Sequence, residues 1–339
     1  MMTSRPGSEV GRVSTAPLLF ALEGSRELGT RIATELGTEL APHEERDFED
    51  GEHKIRPLTS VRGRDVYALH PLAGSQTQSP NDRLIRLLVF LGALRDAGAS
   101  RVTAIAPYLA YARKDARTKP RDPVTLRYVA ALFEAVRVDC VVVLDVHNLA
   151  AFQNAFRCRT EHLEARPLVV DWVRSRLGAD AVTVVSPDVG GVKRAERLRQ
   201  SLERGLGRSV GMAFLEKYRS AGVVSGETLV GNVAGGAALI VDDLISSGTT
   251  IARAARACSS AGANRVIAVA SHGLFVGDAN RVLGEAPLES VVVTDSVSPF
   301  RVQPGPLRDR LVVLETGPLL AEVVRRLHHE ESLTALFET

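Results

Sequence analysis

LIVDDLISSGTTI, residues 239–251, is the stretch of this chain that says most about its fold. Its first apolar residues, with the two alanines before them, are typical of a strand buried on both faces, which we predict over 237–241. The acidic pair Asp242 and Asp243 then stands at the strand end, and apolar residues at helical spacing predict a helix over 251–261. A strand that passes through a short loop into a helix is the repeating unit of α/β folds.

The loop between this strand and this helix consists of small residues, Ser246, Ser247, Gly248, Thr249 and Thr250. Backbone N–H groups at a helix N-terminus bind anions and hydroxyl groups add donors, so the loop is suited to a phosphate. The two carboxylates before it cannot bind phosphate directly, but they suit sugar hydroxyls or Mg²⁺. The stretch therefore predicts a sugar-phosphate site. An ordinary turn with a Ser or Thr N-cap would explain the hydroxyls but not the carboxylate pair.

Length and composition exclude several classes of protein. The chain has 339 residues, enough for two domains, and its 45% hydrophobic and 24% charged residues are ordinary for a globular protein. A net charge of +2 predicts no nucleic-acid partner. The three cysteines are far apart and indicate neither a disulfide framework nor a zinc site. No apolar stretch is long enough to span a membrane, and residues 1–16 lack the apolar core of a signal peptide. We therefore expect a disordered tail over 1–16, no membrane partner and a cytoplasmic protein.

Strand and helix patterns alternate along the chain. We predict strands over 18–22, 66–69, 102–105, 141–144, 182–185, 210–215, 237–241, 266–270 and 291–294. We predict helices over 26–36, 83–97, 126–135, 168–177, 192–202, 251–261 and 318–327. This alternation indicates the α/β class with parallel sheets. We expect an N-terminal domain over 17–160, a C-terminal domain over 161–310, and a final strand and helix over 311–339 that pack back toward the N-terminal domain.

Two further stretches follow apolar strands, where α/β sheets present ligands. PDVGGVKRA, residues 187–195, has two glycines that open a helix and leave room for a phosphate group or a ribose. Asp145 and His147 follow the strand predicted over 141–144, and in an extended chain residues two apart point the same way. We therefore expect this carboxylate and this imidazole to converge beyond the strand end, an arrangement that suits Mg²⁺ and polyphosphate.

These stretches, taken with three others in chain order, resemble one family, the ribose-phosphate pyrophosphokinases. The other three are FEDGE at 48–52, PYLAYARKD at 107–115 and KYR at 217–219. The resemblance covers nearly the whole chain and implies two domains of the phosphoribosyltransferase type I fold. It also implies an activity, the transfer of the diphosphoryl group of ATP to the C1 hydroxyl of ribose 5-phosphate, which gives phosphoribosyl diphosphate and AMP.

The resemblance implies a role for each motif. It assigns ATP binding to Phe48, Asp50, Glu52, Arg113, Lys114 and His147. Binding of ribose 5-phosphate is assigned to Asp188, Asp242, Asp243, Ser246, Ser247, Gly248, Thr249 and Thr250. Lys217 and Arg219 are the catalytic cations of a mobile flap, and Mg²⁺ is expected at His147, Asp188 and Asp145. Since the FEDGE segment reaches the adenine of a neighbouring subunit in this family, we expect a homo-oligomer built from dimers, of which a hexamer is one form.

The chain departs from the family pattern at two positions. Lys114 stands where glutamine is usual, and Ser246 stands where many members have an aspartate. Two other functions stay open from the sequence. One is a regulatory homologue without catalysis, although such relatives typically lose the flap cations that this chain keeps. The other is a phosphoribosyltransferase that consumes the diphosphate, which would leave residues 48–52 and Arg113 unexplained.

Overall fold

The computed structural model describes the backbone of residues 16–220 and 223–337, together with their side chains except those of 217–227. The tail predicted over 1–16 thus lies outside the described residues apart from Ala16. The side chains of Lys217 and Arg219 also lie outside them.

The first part of the chain forms a parallel sheet flanked by helices. Its elements are β1 (Leu18–Ala21), α1 (Arg26–Leu36), β2 (His43–Asp47), β3 (His53–Pro57), β4 (Asp65–Leu69), α2 (Pro80–Asp96), β5 (Arg101–Ile105), α3 (Thr125–Ala135), β6 (Cys140–Leu144), α4 (Leu149–Ala155) and β7 (Arg159–Leu163). The sheet has five strands in the order β1-β4-β5-β6-β7, all parallel. Strands β2 and β3 form a separate antiparallel hairpin.

The second part repeats this architecture with a larger sheet. Its elements are α5 (Arg166–Leu177), β8 (Val182–Ser186), α6 (Val192–Leu206), β9 (Gly211–Ser220), β10 (Val223–Val230), β11 (Ala237–Ile245), α7 (Thr249–Ser260), β12 (Arg265–Gly273), α8 (Ala279–Gly284), β13 (Ser290–Thr294), α9 (Pro306–Arg310), β14 (Leu311–Leu314) and α10 (Gly317–His328). The seven strands run in the order β10-β9-β8-β11-β12-β13-β14. Only the β9–β10 pair of this sheet is antiparallel. The predicted α/β class with parallel sheets is confirmed.

Each sheet is covered on both faces, which explains why its central strands are rich in apolar residues. On one face of the first sheet, Leu87, Phe90 and Phe133 of α2 and α3 are fully buried. On the other face, Ile32 of α1 packs in one cluster with Val324 of α10. Full burial of such a side chain contributes about 1.5–3 kcal/mol, so both layers stabilise the first sheet.

The C-terminal segment is divided between the two parts of the molecule. Helix α10 lies against α1, so closely at Gly317 that an added Cβ would stand 3.0 Å from the Cβ of Arg31. Strand β14, in contrast, pairs with β13 in the second sheet. The expected grouping over 311–339 is therefore corrected, because only the helix returns to the first domain. The boundary drawn at 160/161 also falls inside β7, a strand of the first sheet.

Most predicted elements are present, with shifted ends. Helix α2 begins three residues before the predicted start because Ser79 and Asp82 form a capping box, with the Asp82 N–H 3.2 Å from the Ser79 hydroxyl and the Ser79 N–H 2.7 Å from the Asp82 carboxylate. The hairpin of β2 and β3 was not predicted. In the described ranges, no helix is long and apolar enough to cross a membrane.

Candidate active site

A cleft of about 700 Å³ lies where the carboxyl ends of strands from both sheets meet. Many of the predicted site residues line it. From the first part of the chain these are Arg113, Asp145 and His147, and from the second part Asp188, Asp242, Asp243, Ser246, Ser247, Gly248, Thr249 and Thr250. The carboxyl ends of parallel strands are where α/β folds bind ligands, so the topology alone explains this gathering.

The acidic pair lies inside β11 rather than after it. Asp242 pairs in register with Ala270 of β12, and the strand continues to Ile245, so the strand end predicted at 241 is corrected. Strand pairing holds both carboxylates on a rigid element. Asp243 is buried, with 5% of the residue exposed, whereas Asp242 is half-buried.

Two side chains and one backbone N–H contact this pair of carboxylates. Nδ1 of His147 lies 2.9 Å from Oδ2 of Asp243 and forms a hydrogen bond that joins the two halves of the cleft. A guanidinium nitrogen of Arg194, on α6, lies 3.2 Å from Oδ1 of Asp242 and 3.5 Å from Oδ1 of Asp243. The Asp243 N–H also donates to Oδ1 of Asp242 over 2.8 Å.

These contacts shift the pKa values of the two carboxyl groups in opposite directions. Burial raises the pKa of Asp242, and the neighbouring carboxylate adds to the rise. Burial also opposes ionisation of Asp243, but the hydrogen bond from His147 and the charge of Arg194 outweigh it and lower the pKa of Asp243. The same hydrogen bond raises the pKa of His147. The site therefore favours an ionised Asp243 beside a protonated His147.

The loop before α7 has the backbone conformation that an anion site requires. Gly248 has φ +77°, and a Cβ added there would lie 2.6 Å from Cγ of Leu283, so both the conformation and the space demand glycine. Helix α7 begins at the next residue, Thr249. The first N–H groups of a helix have no partner within the helix, and here they border the cleft. The predicted phosphate loop thus has the expected strand–loop–helix form.

The glycine-rich motif at 187–195 forms a short 3-10 turn before α6. Asp188 begins the turn, and its Oδ1 accepts the Gly191 N–H over 3.1 Å. A Cβ on Gly191 would lie 2.7 Å from the Ser186 hydroxyl oxygen, which explains the second glycine. Oδ2 of Asp188 has no hydrogen bond within the described part of the chain, so it is available to a ligand.

Asp145 and His147 both line the cleft, but their side chains have different partners. Strand β6 ends at Leu144, and Asp145 has φ +41°, so the extended geometry on which the expectation rested stops there. The Asp145 carboxylate instead accepts hydrogen bonds from the Ala165 N–H, over 2.8 Å, and from the Ser271 hydroxyl. It thereby links the first sheet to β12, a contact that the sequence did not predict.

Other predicted residues, where their side chains are described, do not line the cleft. Phe48, Asp50 and Glu52 are at the tip of the β2–β3 hairpin, where Phe48 is 41% exposed. Lys114 does not line the cleft, and its Nζ pairs with the Asp122 carboxylate over 2.7 Å. The backbone that carries Lys217 and Arg219 lies in β9.

Several lining residues were missed from the sequence. The most important of them is Arg194, which pairs with Asp242. The KRA of its motif could have indicated this, because a cation in the first turn of a helix that follows a glycine turn can reach the neighbouring strand. Lys193, Arg197 and His162 also border the cleft. They make the cleft rich in cationic and imidazole groups, as an anionic substrate requires.

The donor set around the cleft does not form a metal cage. Among the residues that the structure describes, no three His, Cys, Asp or Glu side chains stand close enough to hold a metal ion together. Mg²⁺, however, usually binds through one or two carboxylates plus substrate phosphates and keeps several waters. Asp188 fits that mode, whereas the Asp145 carboxylate is engaged with Ala165 and Ser271. His147 suits a phosphate oxygen rather than the ion, because its bond to Asp243 favours the protonated ring.

Comparison with known proteins gives a consistent result. A family model described as the N-terminal domain of ribose phosphate pyrophosphokinase matches residues 18–136, and one described as the phosphoribosyl synthetase-associated domain matches residues 220–338. The ribose-phosphate pyrophosphokinase of Hyphomonas neptunium is 35% identical over 94% of this chain and 99% of its own. That of Listeria ivanovii is 35% identical over 94% of this chain and 96% of its own.

A solved structure supports the same assignment. The phosphoribosylpyrophosphate synthetase of Mycobacterium smegmatis is similar with a TM-score of 0.81 at 32% identity, over 93% of this chain and 100% of that one. Because sequence and fold agree over nearly the full length, the chain belongs to the ribose-phosphate pyrophosphokinase family.

Proposed function

We propose that this cleft transfers the β,γ-diphosphoryl group of ATP to the C1 hydroxyl of ribose 5-phosphate. The observation that carries the proposal is the 2.9 Å hydrogen bond between His147 and Asp243, which joins a polyphosphate side to a sugar-phosphate side. The C1 oxygen attacks the β-phosphorus and loses its proton, and the bond from that phosphorus to the α,β-bridging oxygen breaks. The products are phosphoribosyl diphosphate and AMP.

The sugar side of the site is assigned to β11 and its loop. The α7 N-terminus and the hydroxyls of Ser246, Ser247, Thr249 and Thr250 bind the 5-phosphate, where backbone N–H groups and the helix dipole favour an anion. Asp242 and Asp243 accept hydrogen bonds from the ribose hydroxyls. Arg194 pairs with both carboxylates and offsets their charge.

The nucleotide side is assigned to Arg113 and His147. The planar guanidinium of Arg113 suits triphosphate oxygens, and the hydrogen bond to Asp243, which raises the pKa of His147, favours the ring form that can donate to them. Lys217 and Arg219 then stabilise the charge that develops on the transferred group. Catalysis rests on placement and on charge neutralisation, because phosphoryl transfer requires little covalent chemistry from the protein.

Mg²⁺ is assigned to the polyphosphate, where Asp188 would hold it or its waters and the protonated His147 would donate to a neighbouring phosphate oxygen. When bound, the ion neutralises charge on the phosphate oxygens and makes the phosphorus more electrophilic. Asp145, which the sequence also suggested, is better explained as a link between the sheets.

The hairpin tip with Phe48, Asp50 and Glu52 is assigned to the adenine site of a neighbouring copy. Phe48 is exposed and none of the three residues lines the cleft of its own chain, which supports an arrangement in which two chains share each site. A mixture of an inactive Phe48→Ala/Glu52→Ala chain with an inactive His147→Ala chain then recovers activity, because one hybrid site receives intact residues from both. If hybrids form and no activity returns, the shared site is contradicted.

The experiment that tests the reaction itself is product analysis. Incubation with ATP, ribose 5-phosphate and Mg²⁺ should yield AMP, and omission of the sugar should abolish it. Absence of AMP with both substrates would favour the regulatory homologue. That alternative has less support, since the cleft keeps Arg113, His147 and the carboxylate pair together.

A further inference from the structure

The two halves of the cleft belong to different sheets, so their separation must be set by contacts beneath the site. His147 follows β6 of the first sheet, and Asp243 lies on β11 of the second. The His147 side chain is itself 45% exposed, so its bond to Asp243 alone is a weak constraint. A buried connection between the sheets is needed to fix that bond at 2.9 Å.

His272 provides such a connection. It lies in β12, in register with Leu244 of the neighbouring strand β11, and is 3% exposed. Its Nε2 lies 3.0 Å from the carbonyl oxygen of Leu144, the last residue of β6. Its Nδ1 lies 2.8 Å from the hydroxyl oxygen of Ser296. One imidazole therefore joins the strand end before His147 to the strand beside Asp243.

The surrounding hydrogen bonds select one form of this imidazole. A carbonyl oxygen only accepts, so Nε2 of His272 carries the proton that bonds Leu144, and Nδ1 accepts from Ser296. The Thr294 hydroxyl lies 2.6 Å from the Ser271 carbonyl oxygen and accepts the Ser296 N–H over 3.2 Å. Burial lowers the pKa of His272, so the ring stays neutral. Every polar group of the network has a partner, which favours a single geometry.

The loop that carries Arg113 rests on the same ring. Tyr108 stands edge to face with His272, with ring centroids 5.1 Å apart at an interplanar angle of 81°. The Leu144 N–H donates to the Pro107 carbonyl oxygen over 3.1 Å. Both nucleotide-side segments therefore contact His272 directly or through one residue.

We propose that His272 is a positioning residue for the diphosphoryl transfer, and that its hydrogen bond to Leu144 sets the distance between the nucleotide side and the sugar side of the cleft. This inference rests on the function proposed above. The Ser271 hydroxyl makes a parallel link to the Asp145 carboxylate. In-line transfer is sensitive to placement, and a displacement of about 1 Å can cost about 10²-fold in rate.

Two substitutions at the same position separate this role from general stability. Gln places its amide nitrogen near the position of Nε2, so His272→Gln keeps a donor for Leu144 but not the contact with Ser296. Asn reaches only the position of Nδ1, so His272→Asn keeps the Ser296 contact and loses the link between the sheets. We expect His272→Asn to lower kcat by about 10- to 100-fold with each KM within about threefold, and His272→Gln to keep kcat within about threefold of wild type.

Steady-state kinetics for both substrates and thermal melting of both variants provide the test. Equal kcat values in the two variants, or kcat values that follow Tm instead of the retained donor, would overturn the positioning role. If His272→Asn does not fold, His272→Gln alone decides the question. A kcat within about threefold of wild type supports the role of the donor to Leu144, and a larger drop in a folded His272→Gln overturns it. A wild-type protein that forms no AMP would contradict the proposed reaction instead.

Discussion

The substitution Asp243→Asn tests how the carboxylate pair controls His147. Asparagine keeps the shape and an acceptor for His147, but it removes the charge that the 2.9 Å hydrogen bond uses. Hydrogen bonds to charged groups contribute about 1.5–3 kcal/mol and neutral ones about 0.5–1.5, a difference of about 1–1.5 kcal/mol. Because 45% of the His147 side chain is exposed, solvent screens this hydrogen bond, and the free energy lost lies near the lower end of that difference. We therefore expect kcat/KM for ribose 5-phosphate to fall at least about fivefold, at about 1.4 kcal/mol per decade, because the weaker acceptor for the ribose hydroxyls adds to the loss at His147.

The pH dependence gives the sharper readout. The bond to Asp243 raises the pKa of His147, so in the wild type the protonated imidazole persists to higher pH than an ordinary histidine. Activity that needs this proton is present at low pH and is lost as the pH rises through the pKa of His147. Asp243→Asn moves that loss to lower pH, as measured by kcat/KM from pH 6 to 10 and by NMR titration of the imidazole.

Asp242→Asn is the matched control for this experiment. Asp242 contacts Arg194 and not His147, and burial already raises its pKa toward the neutral form that asparagine imitates. This variant should leave the pKa of His147 unchanged. Equal shifts in the two variants, or no shift in Asp243→Asn, would refute the assignment of the His147–Asp243 bond as the controlling contact.

Three other predictions concern the flap, the phosphate loop and the nucleotide side. Lys217→Ala should lower kcat by about 10²-fold or more in steady-state assays with no change in Tm, and an unchanged kcat would exclude a catalytic role. Gly248→Ala combines a left-handed φ with a clash against Leu283, so urea unfolding should show a free energy of unfolding lower by about 2–5 kcal/mol. Gly235→Ala, at φ +73° in open space, is the control and should lower it by only about 1–2 kcal/mol. Arg113→Gln should raise the KM for ATP about tenfold, and Lys114→Gln should leave it within about threefold, because only Arg113 lines the cleft; equal effects would contradict that placement.

The α/β class could be predicted because its signal is local. Residues 237–251 contain a buried strand, a small-residue loop and a helix start in one continuous stretch, and the structure has β11 and α7 there. The strand end was placed four residues early, because the pairing of Asp242 and Leu244 with β12 depends on a strand that lies later in the chain. Charged residues such as Asp242 and Asp243 can lie inside a strand when they line a cleft, and the sequence pattern does not show where a cleft lies.

The β2–β3 hairpin was missed for a related reason. HEERD and HKIRP, residues 43–47 and 53–57, are rich in charge and lack apolar alternation. They form a separate two-stranded sheet in which only Ile55 is buried. Turn residues of the FEDGE segment were visible in the sequence, but the strands around them were not.

Site residues could be predicted where one local strand–turn–helix unit places the side chain. They could not be predicted where the position of the side chain depends on a contact with a residue far away in the sequence. The loop at 246–250 and Asp188 line the cleft because their own strand–turn–helix units place them there. The contact of Asp145 with Ser271 spans the two sheets, and left-handed backbone at Asp145 cannot be read from its sequence. His272 lies in an apolar run and has the sequence environment of a core residue, although it connects both halves of the site.

The most direct test of the central claim follows the two terminal phosphates of ATP. Purified protein is incubated with ribose 5-phosphate, Mg²⁺ and ATP labelled at either the β- or the γ-phosphorus, and the sugar product is isolated. Transfer of a diphosphoryl group predicts that both labels enter the sugar product together and that AMP forms in equal amount. Label from the γ-phosphorus alone, with ADP as the second product, would contradict the claim, and so would no label in the sugar.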